Sequence, residues 1–263
     1  MSDEAHGFTI RSLVRGLRVL KAFDGETNEL SLTEIAVLAE LPVPTASRVA
    51  RTLEEEGFLE RDERGVFRLG PALLRLGVIA REGTDLLPAA REHLRKLADY
   101  TAETVNLGIL DGTKVLYLAR IRNADLVTAD IHVGSMLPGT CTSMGKLLLA
   151  MLPEEQLRSR LQRLDFTSGR GPRAIRDQHH FLDELRLIRQ QGWALQDEEL
   201  ELGLRSVAAP IRSESKVVAA INLAVPAGRW TTDELVRRFL PEVISASQDI
   251  SAALSAGVSG GRP

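Results

Sequence analysis

Between Ser31 and Leu69 the chain carries start and stop signals so closely spaced that its local fold is nearly prescribed: two short helices, a tight break, and a hairpin. Ser31-Leu32-Thr33-Glu34 is a capping box, in which a serine hydroxyl and a glutamate carboxylate satisfy free amides at a helix start. Ile35, Ala36, Leu38 and Ala39 then supply a face to bury. Glu40-Leu41-Pro42-Val43 interrupts the pattern. Pro44 suits the first turn of the next helix, where its missing N–H needs no partner, and Gly57 ends that helix. Upstream, Leu13, Leu17, Leu20 and Phe23 recur at intervals of three and four, which predicts a helix stopped at Asp24-Gly25. Downstream, Phe58–Arg61 and Val66–Leu69 read as short strands around Asp62-Glu63-Arg64-Gly65. The pattern is that of a winged helix-turn-helix.

In the helix opened by Pro44, Ala46, Val49, Ala50 and Leu53 follow the i, i+3, i+4, i+7 pattern of a core side. At about 100° per residue from Ala46, Ser47, Arg48 and Arg51 fall near 100°, 200° and 140°, and Thr45 near 260°. Hydroxyls and guanidiniums therefore face outward, and Arg64 sits at the hairpin tip. Such a helix suits the major groove of double-stranded DNA, and such a hairpin suits the backbone or minor groove. Thr45, Ser47, Arg48, Arg51 and Arg64 are the candidate DNA contacts. Bulk charge does not help, because the whole chain carries a formal −3 and residues 1–83 hold 11 Lys plus Arg against 14 Asp plus Glu. Only local arrangement supports the interface. Winged helices also bind proteins, so an interaction module stays open at this point.

With 263 residues, 44% of them hydrophobic, the chain has room for a second and larger core. Pro71 to Ala80 is a helix carrying Leu73, Leu74, Leu76, Val78 and Ile79, too apolar for an exposed connector, and it is expected to pack against a second copy. Gly83-Thr84 precedes another helix from Asp85 to Tyr100. Beyond Thr104, Val105–Leu110 and Val115–Ile121 predict a hairpin, and Leu126–Val133 a further strand. Cys141–Met151, Glu154–Leu164 and Gln178–Gln191 read as helices, and Ser206–Ile211 and Val217–Val225 as core strands. Thr232–Leu254 is a closing helix capped by Thr231 or Thr232. The expectation is an α+β fold with a mostly antiparallel sheet: residues 8–70 a winged helix-turn-helix, 71–83 a linker and dimerisation helix, and 84–255 the larger domain.

One cysteine, Cys141, rules out an internal disulfide and a cysteine-rich zinc site. His179-His180 has no matching ligands nearby in sequence, and neither metal nor cofactor is expected. No stretch reaches the roughly 20 apolar residues of a membrane span, and the first eight residues lack the pattern of a signal peptide, so a cytoplasmic protein is expected.

Several short motifs then recur in one arrangement: Ser12-Leu13 with Arg15-Gly16-Leu17, Arg51-Thr52-Leu53 with Gly57, Leu137-Pro138, Gly145-Lys146, and Asp197-Glu198-Glu199 through Gly203-Leu204-Arg205. From about Phe8 to Leu254 the chain resembles the IclR family of bacterial transcription regulators. The resemblance implies a GAF-like effector-binding domain, a homodimer or dimer of dimers, operator DNA as partner with RNA polymerase a further candidate, and control of catabolic genes. Cys141–Lys146 and Glu199–Ser206 are most similar to the branch that governs aromatic-acid breakdown through protocatechuate and β-ketoadipate. Positions matching the family's effector pocket are Ser143, Met144, Leu204, Ser206, Asn222 and Ala224, with Thr142 beside them. Gln196 and Ala224 depart from the polar pattern of the family's small-acid sensors, which argues against a glyoxylate-sized ligand.

Free amides and hydroxyls at the start of the Cys141 helix suit the carboxylate of a small organic acid. The same hydroxyls also suit plain helix capping. Arg205 stands either as a partner for the effector or as one half of an ion pair with its acidic neighbours, and His132, Arg120 and Arg122 are further polar candidates. The rival class is a cysteine-based enzyme or redox sensor, with Cys141 activated by the helix start. No general base is placed beside it by sequence, so no catalytic residue is assigned.

Overall fold

The capping box forms as prescribed in the computed structural model, which describes residues 9–23, 28–82, 85–122 and 131–260. Glu34 N–H donates to Ser31 Oγ at 3.3 Å, and Ser31 N–H to Glu34 Oε2 at 2.8 Å. The chain divides into two units, the first ending at Thr84 and the second beginning at Asp85.

The first unit contains helix α1 (Arg11–Lys21), strand β1 (Leu30–Ser31), helices α2 (Leu32–Leu38) and α3 (Val43–Glu55), strands β2 (Leu59–Arg61) and β3 (Val66–Leu69), and helix α4 (Pro71–Glu82). β3 lies between β1 and β2, so the hairpin gains a third strand that Leu30 and Ser31, the first residue of the capping box, supply. Val19, Leu30, Ile35, Ala39, Ala50, Leu59 and Phe67 form the core. Three residues expected inside lie outside: Leu13, Leu17 and Leu38 are 59%, 47% and 56% exposed. The apolar arc of α1 is wider than the core it meets. Val19, Ala22 and Phe23 point along one line, and Leu13 and Leu17 fall more than about 100° away from Val19. On α2 the core takes Ile35, Ala36 and Ala39, and the two small alanines let α3 approach closely. The predicted stop at Asp24-Gly25 lies outside the described residues. α4 leaves Leu74, Leu76 and Ile79 exposed.

The second unit is a six-stranded antiparallel sheet between helical layers. After α5 (Leu86–Thr101) come β4 (Thr104–Asp111), β5 (Lys114–Ile121), β6 (Met136–Pro138), α6 (Ser143–Ala150), α7 (Glu154–Leu161), α8 (Gln178–Gln191), β7 (Ala194–Asp197), β8 (Leu204–Ser213) and β9 (Lys216–Pro226). The chain closes with α9 (Thr232–Glu234), a π-turn at Leu235–Phe239, and α10 (Leu240–Gly260). Strand order is β6-β5-β4-β9-β8-β7. Alternation sorts the side chains: Val207, Ile211, Ile221 and Leu223 pack under α5 and α10, whereas Ala208 and Ala220 meet α6 and α8 with Leu147, Phe181 and Ile188.

β7 was not foreseen, because four residues after Trp193 show too little alternation to mark a strand. Of the predicted strand Leu126–Val133, residues 126–130 lie outside the described residues. Ile131–Val133 are irregular, and Met136–Pro138 edges β5 instead. The break at Gly83-Thr84 also lies outside the described residues. Thr231, not Thr232, caps the closing helix through a second capping box with Glu234.

Candidate functional site

The recognition surface of the first unit follows from α3. Pro42 caps it, Pro44 occupies its first turn, and burial of Ala46 and Ala50 fixes its rotation. Ser47, Arg48 and Arg51 are thereby exposed, and Thr45 is half-buried at the flank. Arg51 Nε donates to Glu55 Oε1 at 3.0 Å. Arg64 sits at the hairpin tip beside Gly65, whose φ of +82° lets the chain reverse. Its guanidinium bonds Asp62 at 2.9 Å and Glu29 at 3.3 Å, with Arg68 on the same glutamate. These pairs lie at the surface and are screened by solvent, so a phosphate can displace them at little cost.

The second unit holds a cavity on the α6 side of the sheet. Five residues read from the sequence line it: Thr142, Leu204, Ser206, Asn222 and Ala224. Ser143 stands behind the wall with its Oγ 2.7 Å from Ser206 Oγ, and Met144 is fully buried in the adjoining core. Arg120, one of the further polar candidates, lines it too, and five other lining residues were not singled out as effector contacts: Asn106, Tyr117, Ile131, Gln196 and Leu200. Cross-strand register joins three of these six. Arg120, Asn106 and Asn222 are direct neighbours across β5, β4 and β9, and Gln196 is the neighbour of Ser206 across β7 and β8.

Their side chains form one hydrogen-bonded row. Arg120 Nη1 donates to Asn106 Oδ1 (3.1 Å), Asn106 Nδ2 to Asn222 Oδ1 (2.8 Å), and Asn222 Nδ2 to Ser143 Oγ (3.3 Å). Ser206 Oγ donates to Gln196 Oε1 at 3.3 Å. With the Ser206 proton used there, Ser143 is the donor to Ser206. Leu200, Leu204 and Ala224 form the apolar part of the wall. Room open to the centre of a water molecule is about 10 Å³, enough for one water. Burial raises the Tyr117 hydroxyl pKa, and it lowers that of the Arg120 guanidinium.

The hydroxyls at the α6 start serve the fold. Thr142 Oγ1 donates to the Pro138 carbonyl at 2.9 Å and accepts from Gly145 N–H at 3.2 Å. One turn further on, Lys146 is 1% exposed, and its ammonium contacts Glu184 at 3.0 Å and Glu199 at 2.5 Å. Burial holds the Glu199 carboxyl above its ordinary pKa against the opposing pull of Lys146. Arg205 resolves to structure: it pairs with Asp197 at 2.5 Å and donates to the carbonyls of Ala227 and Trp230, both at 2.8 Å. Cys141 is buried, and burial pushes its thiol up to about 12, a poor setting for a nucleophile. His180 bonds Asp177 on the α8 surface. Among the described residues no cluster of His, Cys, Asp or Glu has the makings of a metal site, and no helix is long and apolar enough to cross a membrane.

An exposed, arginine-bearing helix with a wing in one unit, and a small buried polar cavity in the other, are the parts of a ligand-responsive DNA-binding regulator. The chain belongs to the IclR family of bacterial transcriptional regulators: the family's helix-turn-helix model matches residues 12–63 and its C-terminal model residues 79–252. The Pca regulon regulatory protein of Pseudomonas putida is 37% identical over 241 residues, 91% of this chain and 82% of that one. The regulator XynR of Escherichia coli is 32% identical over 93% of this chain and 97% of its own. Among solved structures, a transcriptional regulator from Rhodococcus sp. RHA1 matches with TM-score 0.76 at 34% identity, covering 95% of this chain and all of that one. An IclR homologue from Microbacterium hydrocarbonoxydans, complexed with 4-hydroxybenzoate, matches with TM-score 0.80 at 27% identity over 93% of this chain and 99% of its own. The relatives are named regulators rather than enzymes.

Proposed function

We propose that the chain controls genes for the breakdown of aromatic or dicarboxylic acids, and that a protocatechuate-like acid is the effector that the second unit binds. The observation that carries this reading is the cavity itself, a hydrogen-bonded polar row on one side and Leu200, Leu204 and Ala224 on the other. Such a division suits a flat or short carbon frame bearing acidic and hydroxyl groups. Its present size supports a sensor in particular. An aromatic acid enters only by parting the wall, so binding is coupled to a change of conformation. The similarity to a Pca regulon protein and to a homologue holding 4-hydroxybenzoate points the same way.

In this reading Thr45, Ser47, Arg48, Arg51 and Arg64 meet the operator, two copies pair partly through the apolar face of α4, and the protein works in the cytoplasm. The test is a thermal-shift panel of aromatic, dicarboxylic and short-chain acids on the full chain, followed by operator-binding assays with each hit. A ligand at 100 times its Kd stabilises the folded state by about 2.7 kcal/mol, which raises the melting temperature measurably. Protocatechuate or a related acid is expected to raise it and to change operator affinity. If only glyoxylate-sized acids or no acids bind, the effector class is wrong; loss of sequence selectivity on operator DNA in competition with heparin would make the winged helix a protein-binding module.

A further inference from the structure

We propose that the segment Glu199–Leu202 is the lid of the effector cavity, that it turns on Glu198 and Gly203, and that the Lys146–Glu199 ion pair is its latch. This rests on the effector reading above and adds which part of the wall moves to admit the ligand.

Most of the wall is tied down. Of the described residues that line the cavity, eight stand on strands β4, β5, β7, β8 and β9, where the sheet ladders hold them, and Thr142 caps α6. The remaining two, Leu200 and Ile131, lie outside strands and helices. Leu200 belongs to a compact loop whose ends are joined, with Glu198 N–H donating to the Leu204 carbonyl at 2.9 Å. Both residues that flank the segment are in the left-handed region, Glu198 at φ +51° and Gly203 at φ +82°. Glycine adopts that conformation freely, whereas a glutamate there is strained, so the closed loop is held by its contacts rather than by backbone preference. Leu202 is 71% exposed, which leaves the segment room to swing outward.

The contacts that close the loop are of two kinds. On one side, the strap that precedes α8 donates three amides to it: Arg170 N–H to the Leu200 carbonyl (2.9 Å), Gly171 N–H to that of Glu199 (3.1 Å) and Arg173 N–H to that of Glu198 (3.3 Å). Water can replace each of these when the segment moves. On the other side, the Glu199 carboxylate reaches inward to the Lys146 ammonium at 2.5 Å. Lys146 also serves Glu184, so two carboxylates share one cation, and Glu199 Oε2 is buried with no hydrogen-bond partner. A buried acceptor left unmade carries a penalty that ends when the group reaches water, so the closed state is poised for release. The cavity has room for one water, about 10 Å³. A ring that takes its place displaces Leu200, and the residue beside Leu200 carries the latch.

The experiment is native-state hydrogen exchange on the full chain, read by mass spectrometry on fragments that cover residues 168–174 and, for comparison, the β8–β9 ladder. In the ligand-free wild type the Arg170, Gly171 and Arg173 amides are expected to exchange about tenfold or more faster than the ladder and to be insensitive to low urea, the mark of a local opening. Gly203→Ala puts a Cβ where nothing lies within 4 Å, so it strains only the closed backbone. It should speed the strap amides about 5–30-fold. Lys146→Met should speed them about tenfold or more, and adding Glu199→Gln should slow them again. Saturating protocatechuate should hold the segment off the strap and deprotect residues 168–174, whereas a ligand that leaves the segment closed would protect them. Strap amides that exchange with the ladder and share its urea dependence overturn the lid, as does an unchanged rate in Gly203→Ala. Bound protocatechuate that deprotects residues 131–135 instead overturns it too. If protocatechuate neither raises the melting temperature nor alters exchange, the effector reading fails, and the ligand-free measurements still decide the lid.

Discussion

Replacing Lys146 by methionine keeps most of the side-chain volume but removes the ammonium that sits between Glu184 and Glu199. The two carboxylates bear the loss unequally. Glu184 is 27% exposed and can turn to water, whereas the Glu199 side chain is 8% exposed, with Oε2 already buried and without a hydrogen-bond partner. Stranding one buried partner of an ion pair costs about 3–5 kcal/mol, and Glu199 should account for most of it. The sign of the pH dependence follows from Glu199, whose folded-state pKa is above 4.5 because of burial and rises further once Lys146 is gone. Above the raised pKa the folded variant carries the full penalty. As pH falls from there toward 4.5, the folded state takes up a proton before the unfolded state does, and the deficit shrinks. Both tryptophans, Trp193 and Trp230, lie in the second unit, so urea unfolding followed by tryptophan fluorescence reports that unit alone. Lys146→Met is expected to lose about 3–5 kcal/mol at pH 7, less at pH 5, and to recover much of it when Glu199→Gln is added. A loss under about 1 kcal/mol at pH 7, or no recovery in the double variant, would refute the reasoning.

Arg48→Ala should weaken operator binding by about 1–3 kcal/mol if it reads a base edge, whereas Arg64→Ala should lower the salt slope by about one; titrations at several salt concentrations separate the two. Cys141→Ser should fold and keep its effector response, and the wild-type thiol, with a pKa near 12, should resist alkylation at pH 8 in the native state and react once urea exposes it. Gly145→Ala should destabilise the second unit by more than about 2 kcal/mol in the same fluorescence assay, because a Cβ there would lie 2.4 Å from the Gly139 Cα and 2.6 Å from its carbonyl oxygen.

Local signals carried the reading of the first unit: capping box, proline at a helix start, glycine at its end and alternation around a turn each act within a few residues. They failed where the answer depended on which side of a wide apolar arc the core would take, as at Leu13, Leu17 and Leu38. In the second unit helices and long strands were legible, but β7 was missed because its strand character comes from pairing with β8 rather than from its own four residues. The cavity was half legible for a related reason. Ser206 and Asn222 stood out by family position and Arg120 as one of three polar candidates, whereas Asn106 and Gln196 join them only through register between strands as many as 116 residues apart. Arg205 and Arg120 show the same limit from opposite sides: both are arginines on strands, yet one is held by Asp197 and two carbonyls, and the other lines the cavity.

The π-turn at Leu235–Phe239 makes the closing helix one residue longer than its geometry needs. Leu235 and Leu254, both buried against the sheet, are 19 positions apart, which is about 5.3 turns of a regular helix. A π-turn absorbs one residue in a widened loop of backbone, and the remaining 18 make about five whole turns. The two ends of the buried stripe thereby fall on one line, and Val243 and Ile250 between them stay on it. The helix therefore contains a spare position whose removal would restore an ordinary spiral without rotating anything beyond it. Sequences descended from this one should be able to lose a residue between Leu235 and Phe239, while a loss within Leu240–Leu254 would turn one end of the stripe away from the sheet.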